Sequence, residues 1–415
     1  MVFPGLATIR VFGTRVLGRW HDASVSSGLL EVIARCYIVE AVLVYIFDLL
    51  RQTHDHLTNG AGRPLGDDFV NYWSGAFLAL HQRALEVYSP IAFHSFEQSV
   101  VGEHLQGYHY SYPPTLLVLT APLALIPYVP ALALWVCGSW FAFYRALRLA
   151  MPNGHALLLA LAAPAVFINA VAGQNGTWTA ALLGGGLGLL DCRPILAGGL
   201  FGLMIYKPHL GILLPVALLA GRRWRALTAT AVTAGAVIVA SLICFGPEVW
   251  RDFLREIAIL RQVILEDGTG VWHRMVSVFV TARRLGADVT TAYVIQALAA
   301  GLAGIAVAVV WFRGASLGVR NAVLVLGTCL ATPYLQDYDL VIGALVVAWL
   351  AHEPNLSHTL ERPLYIASAL VLLLPLFAAP IATLTWLAVG PFFLLPAFLI
   401  AVQLGFGERR AMQMN

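Results

Sequence analysis

From residue 112 to 246 and again from 291 to 403 the sequence is a near-continuous series of apolar runs, each long compared with the polar interval that separates it from the next. A run of about 20 apolar residues crosses the hydrocarbon of a bilayer as a helix. In lipid only helices and closed barrels satisfy every backbone N–H and C=O. The chain therefore reads as an all-α polytopic membrane protein. Composition agrees: 59% of the 415 residues are apolar and 11% charged, against about 25% charged in a soluble domain. The net charge of +3 comes from scattered arginines with no aromatic-interleaved basic patch, which argues against a nucleic-acid partner. Cys36, Cys137, Cys192, Cys244 and Cys329 lie in or beside apolar runs without paired spacing, as small packing residues do.

Hydropathy divides the chain into a cytoplasmic arm over 1–28, one transmembrane domain over 29–403 and a cytoplasmic tail over 404–415. A first span is expected over 29–50. Further spans are expected near 112–128, 130–149, 155–172, 177–190, 195–220, 226–246, 291–312, 320–336, 338–351, 363–379 and 381–403, for a total of ten to thirteen. Two long loops interrupt them, 51–111 and 247–290. The arginines near the N-terminus, in "GRRWR" at 221–225, and at 313, 320, 409 and 410 set these positions inside, against Arg145 and Arg148. The first loop then faces the exterior, the periplasm in a Gram-negative cell. Within it, Phe69, Val70, Trp73, Phe77 and Leu80 recur at helical spacing, as in an amphipathic helix on the membrane surface, and Ser89-Pro90 opens a second helix.

Four polar features stand out against this background. "RPLGDDFVNYW" carries Asp67 and Asp68 just before the first helical run, with Asn71 and Tyr72 on the face of Asp68. Such an aspartate caps a helix, and a held, ionised carboxylate also makes a general base. Lys207, the single lysine of the chain, sits in a long apolar segment beside Pro208 and His209. A charge in mid-membrane faces a cavity or a partner unless it snorkels out. "TPYLQDYDL" places Asp337 and Asp339 beside Tyr334 and Tyr338, as a non-helical break lining an aqueous cavity or as an external turn. "AGQNG" at 172–176 is a break of the same kind, and "GYHYSYPP" brings Tyr112 to the bilayer surface. Sugar transfer from a lipid phosphate uses such parts, a base for the acceptor hydroxyl and cations for the departing phosphate.

"GDDFVNYWSGA", "YSYPPTLLVLTAPLALIP", "GQN", "YKPHLGILLPVALLAGRRWRAL" and "ATPYLQDYDL", in this order, resemble glycosyltransferase family 87, the polyprenol-phosphate-mannose-dependent mannosyltransferase-like proteins. The resemblance implies the C-type glycosyltransferase fold and amphipathic helices in the first external loop. It implies an inverting hexosyl transfer from a polyprenyl-phosphate-linked sugar to a lipid or glycan acceptor at the outer face of the inner membrane. It assigns Asp68 as base with Asp67 beside it, and Lys207 with His209 to the donor phosphate. Asn71, Tyr72, Tyr112, Gln174, Asn175, Tyr334, Asp337 and Asp339 then line the cavity or the acceptor site. No cofactor and no metal is expected, since adjacent carboxylates alone are a poor ligand set. A secondary transporter, or a flippase-like envelope protein, using Lys207 and the acidic residues in a polar cavity is the alternative. A transporter would show two similar halves with paired broken helices, which the sequence lacks.

Overall fold

The computed structural model describes residues 24–152, 155–353 and 358–413; most of the N-terminal arm lies outside them. Among these residues the chain is all-helical, with only isolated bridges and no strand. Two compact units divide it, Met1–Phe47 and Asp48–Asn415. The helix Ser24–Arg51 begins in the first unit and covers the interval of the expected first span, but with Glu31, Arg35, Glu40 and Asp48 along it, it is not among the helices long and apolar enough to cross a membrane. Its Arg35 pairs with Glu31 at 2.5 Å, one turn away.

Among the described residues, four helices are long and apolar enough to cross a membrane: Trp224–Phe245, Val289–Arg313, Thr359–Thr385 and Gly390–Gly407. Ala226 and Ser241 are the only buried residues of Trp224–Phe245, while Val232, Val239 and Ile243 are exposed. One face of it packs closely on Gly198 and Gly202, and the exposed apolar residues of the other faces suit lipid contact. The final helix runs on to Gln413, past the expected boundary of the tail at 403.

The expected spans 130–149 and 177–190 form the continuous helices Tyr128–Ala150 and Gly176–Leu189, whereas three others are broken, and proline is the main cause. The interval 112–128 becomes a short helix Pro114–Thr120 and a 3-10 turn over Pro122. The interval 155–172 divides at Ala163, held extended by the following Pro164, into Ala156–Ala162 and Pro164–Val171. The interval 195–220 breaks around Lys207-Pro208 into four short pieces. The helix Leu317–Ala331, buried without interruption from Val319 onward, is the centre of the largest apolar core.

The two long loops, 51–111 and 247–290, are both structured. Helix Phe69–Leu80 was expected to lie on the membrane surface with one apolar face. It is instead buried on nearly every side, from Phe69 through Tyr72 and from Ser74 through Ala76, within a second core that includes Phe93, Leu117, Tyr128 and Trp135. Alternating apolar and small residues on all faces suit a helix covered by the loop that follows it. The interval 247–290 is largely helical, with Pro247–Leu260 and Val278–Arg284 around the turn Trp272–Arg274.

Candidate active site

Three polar breaks that lie far apart in the sequence meet in space. The first is the turn over residues 64–68. Asp67 N–H donates to Pro64 O at 2.9 Å and Phe69 N–H to Gly66 O at 2.9 Å. Gly66 and Asp67 both take positive φ, +78° and 47°. Aspartate tolerates that region better than most residues, and Arg63 holds it there by an ion pair at 3.1 Å. Tyr108 O–H also donates to Asp67, at 2.5 Å.

The second break, 172–176, is pressed against the first. Asp68 N–H donates to Ala172 O at 3.2 Å, and Trp135 donates to Gly173 O at 3.1 Å. Gly173 sits at φ +57°, and a Cβ there would lie 1.9 Å from Gly66 O. No side chain fits. Gly173→Ala is therefore expected to cost roughly 1–3 kcal/mol of stability or more, read as a lowered unfolding midpoint in detergent. Gly107→Ala, with nothing within 4 Å of its Cβ position, is the neutral control. An unchanged midpoint in the Gly173 variant would contradict the close approach.

The third break is the 3-10 turn Asp337–Leu340. It meets the second at Gly176, whose Cβ position is 2.2 Å from Tyr338 O. Its two carboxylates hold two cations. Asp339 pairs with Lys207 at 2.5 Å, with side chains 1% and 3% exposed. Asp337 receives three contacts from the Arg274 guanidinium, at 3.0 to 3.2 Å. Between them lies the ring of Tyr338, 4.9 Å from Lys207 Nζ and 5.6 Å from Arg274 Cζ, both within cation–π range.

A hydrogen-bonded path joins the two ends of this region. Gln174 Nε2 donates to Asp68 Oδ2 at 2.6 Å, and Gln174 Oε1 accepts from Tyr72 at 2.6 Å and Tyr112 at 3.2 Å. Asn175 Nδ2 donates to Tyr72 Oη at 3.0 Å, and Asn175 Oδ1 accepts from Lys207 Nζ at 2.8 Å. Asp68 thus reaches Lys207 through amides and tyrosines held in fixed orientation, while its Oδ1 makes no hydrogen bond among the described residues.

Electrostatics set the carboxylates apart. Burial, and after it the negative charge of Asp67, push the Asp68 carboxyl up to about 7, against the opposing pull of the Gln174 hydrogen bond and of Arg274 and Arg63. At neutral pH Asp68 is thus less readily ionised than a solvated aspartate. Asp68 occupies the N-cap position of Phe69–Leu80, but its side chain makes no cap hydrogen bond. The side chain is turned to Gln174 instead.

Of the residues expected from sequence, Asp68, Tyr72, Tyr112, Gln174, Asn175, Lys207, Asp339 and Asp337 come together. Tyr334 lies at the edge, 3.4 Å from Gln336 Nε2, with the His209 ring 5.9 Å away. His209 Nε2 and Asn71 Oδ1 are buried without a partner. Arg274 was not anticipated: it lies in a loop of many arginines, and only its pairing with Asp337 separates it from the rest. Glu97 was missed as well, a fully buried carboxyl that burial pushes up to about 9. Nothing in its helical segment marks it from a solvated glutamate.

Residues 110–333 match the sequence model of glycosyltransferase family 87. The chain belongs to that family. Neither the curated proteins nor the solved structures compared with it contain a match. As a family 87 member the protein is a membrane glycosyltransferase, with a sugar donor and an acceptor as substrates. The matched residues include Tyr112, Gln174, Asn175, Lys207 and Arg274, whereas Asp68 precedes them and Asp337 and Asp339 follow. In this glycosyltransferase, then, the fold brings residues from inside and outside the family match into one polar cluster.

Proposed function

We propose that the protein transfers a hexose, mannose by its family resemblance, from a polyprenyl-phosphate donor to a lipid or glycan acceptor at the outer face of the inner membrane, with inversion at the anomeric carbon. The observation that carries this reading is the fixed path from Asp68, whose Oδ1 is free of hydrogen bonds among the described residues where Asp337 and Asp339 have both oxygens engaged, to two cations at a single ring.

The acceptor hydroxyl oxygen attacks the anomeric carbon of the donor, and its proton passes to Asp68 Oδ1. The bond from that carbon to the phosphate oxygen breaks, and its electron pair stays on the lipid phosphate. Phosphate leaves without a protonating acid, so one carboxylate suffices, unlike the two of glycoside hydrolysis. Arg274, with its side chain 26% exposed, is the outer cation for the phosphate oxygens. Lys207 is the inner one, with one N–H free beyond those given to Asn175 and Asp339, and His209 lies next to it in the chain. Asp337 and Asp339 fix both cations and temper their charge. Tyr72, Tyr112, Gln174 and Asn175 orient the base.

The test is transfer by the purified protein in proteoliposomes supplied with a polyprenyl-phosphate hexose and a membrane glycan acceptor. Because the base works ionised and the Asp68 carboxyl is pushed up to about 7, kcat/KM should fall as pH drops through 7, approaching about tenfold per unit below it. A flat profile between pH 5 and 8, or transfer from a nucleotide sugar alone, would overturn the reading.

A further inference from the structure

A second cluster of cations lies at the far end of the long helices. Phe245 packs on the core that contains Phe69 and Tyr72, whereas Trp224, at the start of the same helix, adjoins the turn Gly221–Arg223. The 22 residues between these ends span about 33 Å, the thickness of a bilayer core. Val289–Arg313 runs in the opposite sense, with Ala292 near its start in the core that holds Met275 and Arg313 at the other end. Where these helices end, Gly221, Arg222, Arg223, Trp311, Phe312 and Arg320 line a cavity of about 330 Å³.

Its charge is unbalanced. Three arginines and no acid line it, and Asp191 pairs with both Arg223 and Arg320. Among the described residues the Arg222 guanidinium meets the Phe312 ring, at 5.9 Å, and no acid, on a strained backbone at φ 54°. Arg320 is 92% buried by its relative exposure of 8%, lies 5.3 Å over the Trp311 ring and has an unpartnered Nε. A buried, incompletely bonded guanidinium in a cavity is a costly arrangement unless an anion completes it. The helix Trp224–Phe245 also begins here with no side-chain cap, leaving N–H groups that favour negative charge. Trp224 and Phe312 are exposed beside it, at the level where aromatic side chains meet headgroups.

We infer that this cavity binds a phosphate-bearing anion, as a lipid headgroup or as free phosphate, at the membrane surface opposite Asp68. Basic pockets between spanning helices on the arginine-rich side take anionic headgroups in this way. Arg222 and Arg320 supply charge-assisted hydrogen bonds, and Arg223 stays with Asp191.

The experiment is native mass spectrometry and thermal unfolding of the full-length protein in nanodiscs of phosphatidylcholine, with and without phosphatidylglycerol, and in detergent with inorganic phosphate. Retained phosphatidylglycerol with a raised midpoint identifies a headgroup site; the same response to phosphate alone identifies a free-anion site. Either supports the inference if Arg222→Gln and Arg320→Gln each weaken it about tenfold. Binding unaffected by both variants, or no response to either ligand, overturns it. Arg222 is exposed, so its variant keeps the test decisive if Arg320→Gln fails to fold. No readout depends on sugar transfer, so the outcome is independent of the reaction proposed above.

Discussion

Asp68→Asn should lower transfer from a polyprenyl-phosphate sugar by about 10²- to 10⁴-fold, the range that a positioned general base contributes. Stability should be unchanged or slightly higher. The asparagine oxygen still accepts the 2.6 Å hydrogen bond from Gln174, and the substitution removes a carboxylate that burial and Asp67 disfavour as an anion. Asp67→Asn should be milder in rate and harsher in stability, because Asp67 carries the ion pair to Arg63 and the hydrogen bond from Tyr108. Steady-state transfer and unfolding midpoints of both variants separate the two roles. Transfer by Asp68→Asn within about twofold of the parent would remove it as the base, since no base whose loss costs so little sets the rate.

Lys207→Met should destabilise the protein by about 3–5 kcal/mol, because it leaves Asp339 as a buried unpaired charge. The double variant Lys207→Met with Asp339→Asn should recover most of that loss, since it removes both charges while the amide can still accept the 3.2 Å bond from Gln336 N–H. If Lys207 also meets the donor phosphate, transfer stays low in the double variant although folding returns. The comparison is a double-mutant cycle read by unfolding midpoint and by donor KM. Full transfer by the refolded double variant would reduce Lys207 to a structural partner of Asp339. A single variant as stable as the parent would contradict the buried pair itself.

The elements differ in how far the sequence discloses them. The isolation of Lys207 among apolar residues signals a partner, because lipid offers no solvation, and the partner is one of the two acids already conspicuous in "TPYLQDYDL". Asp68 is marked only by its place before a helical run. The local rule makes it a cap, and the tertiary contact with Gln174 overrides that rule. Arg274 and Glu97 leave no local signal, since an arginine in an arginine-rich loop and a glutamate on a short helix have solvated readings that cost nothing. The four long helices follow from hydropathy, but the shorter apolar runs do not reveal where proline and the glycine approaches divide them.

By itself the sequence determined that this chain is helical and lives in a membrane, because a composition so poor in charge has no other way to satisfy its backbone. It also determined which polar groups need an explanation. Only the tertiary structure decided how they are matched: which acid takes which cation, and that the turns around Gly66, Gly173 and Gly176 touch backbone to backbone. Pairing across 100 residues or more depends on how the helices between them pack, and no local pattern of side chains encodes that.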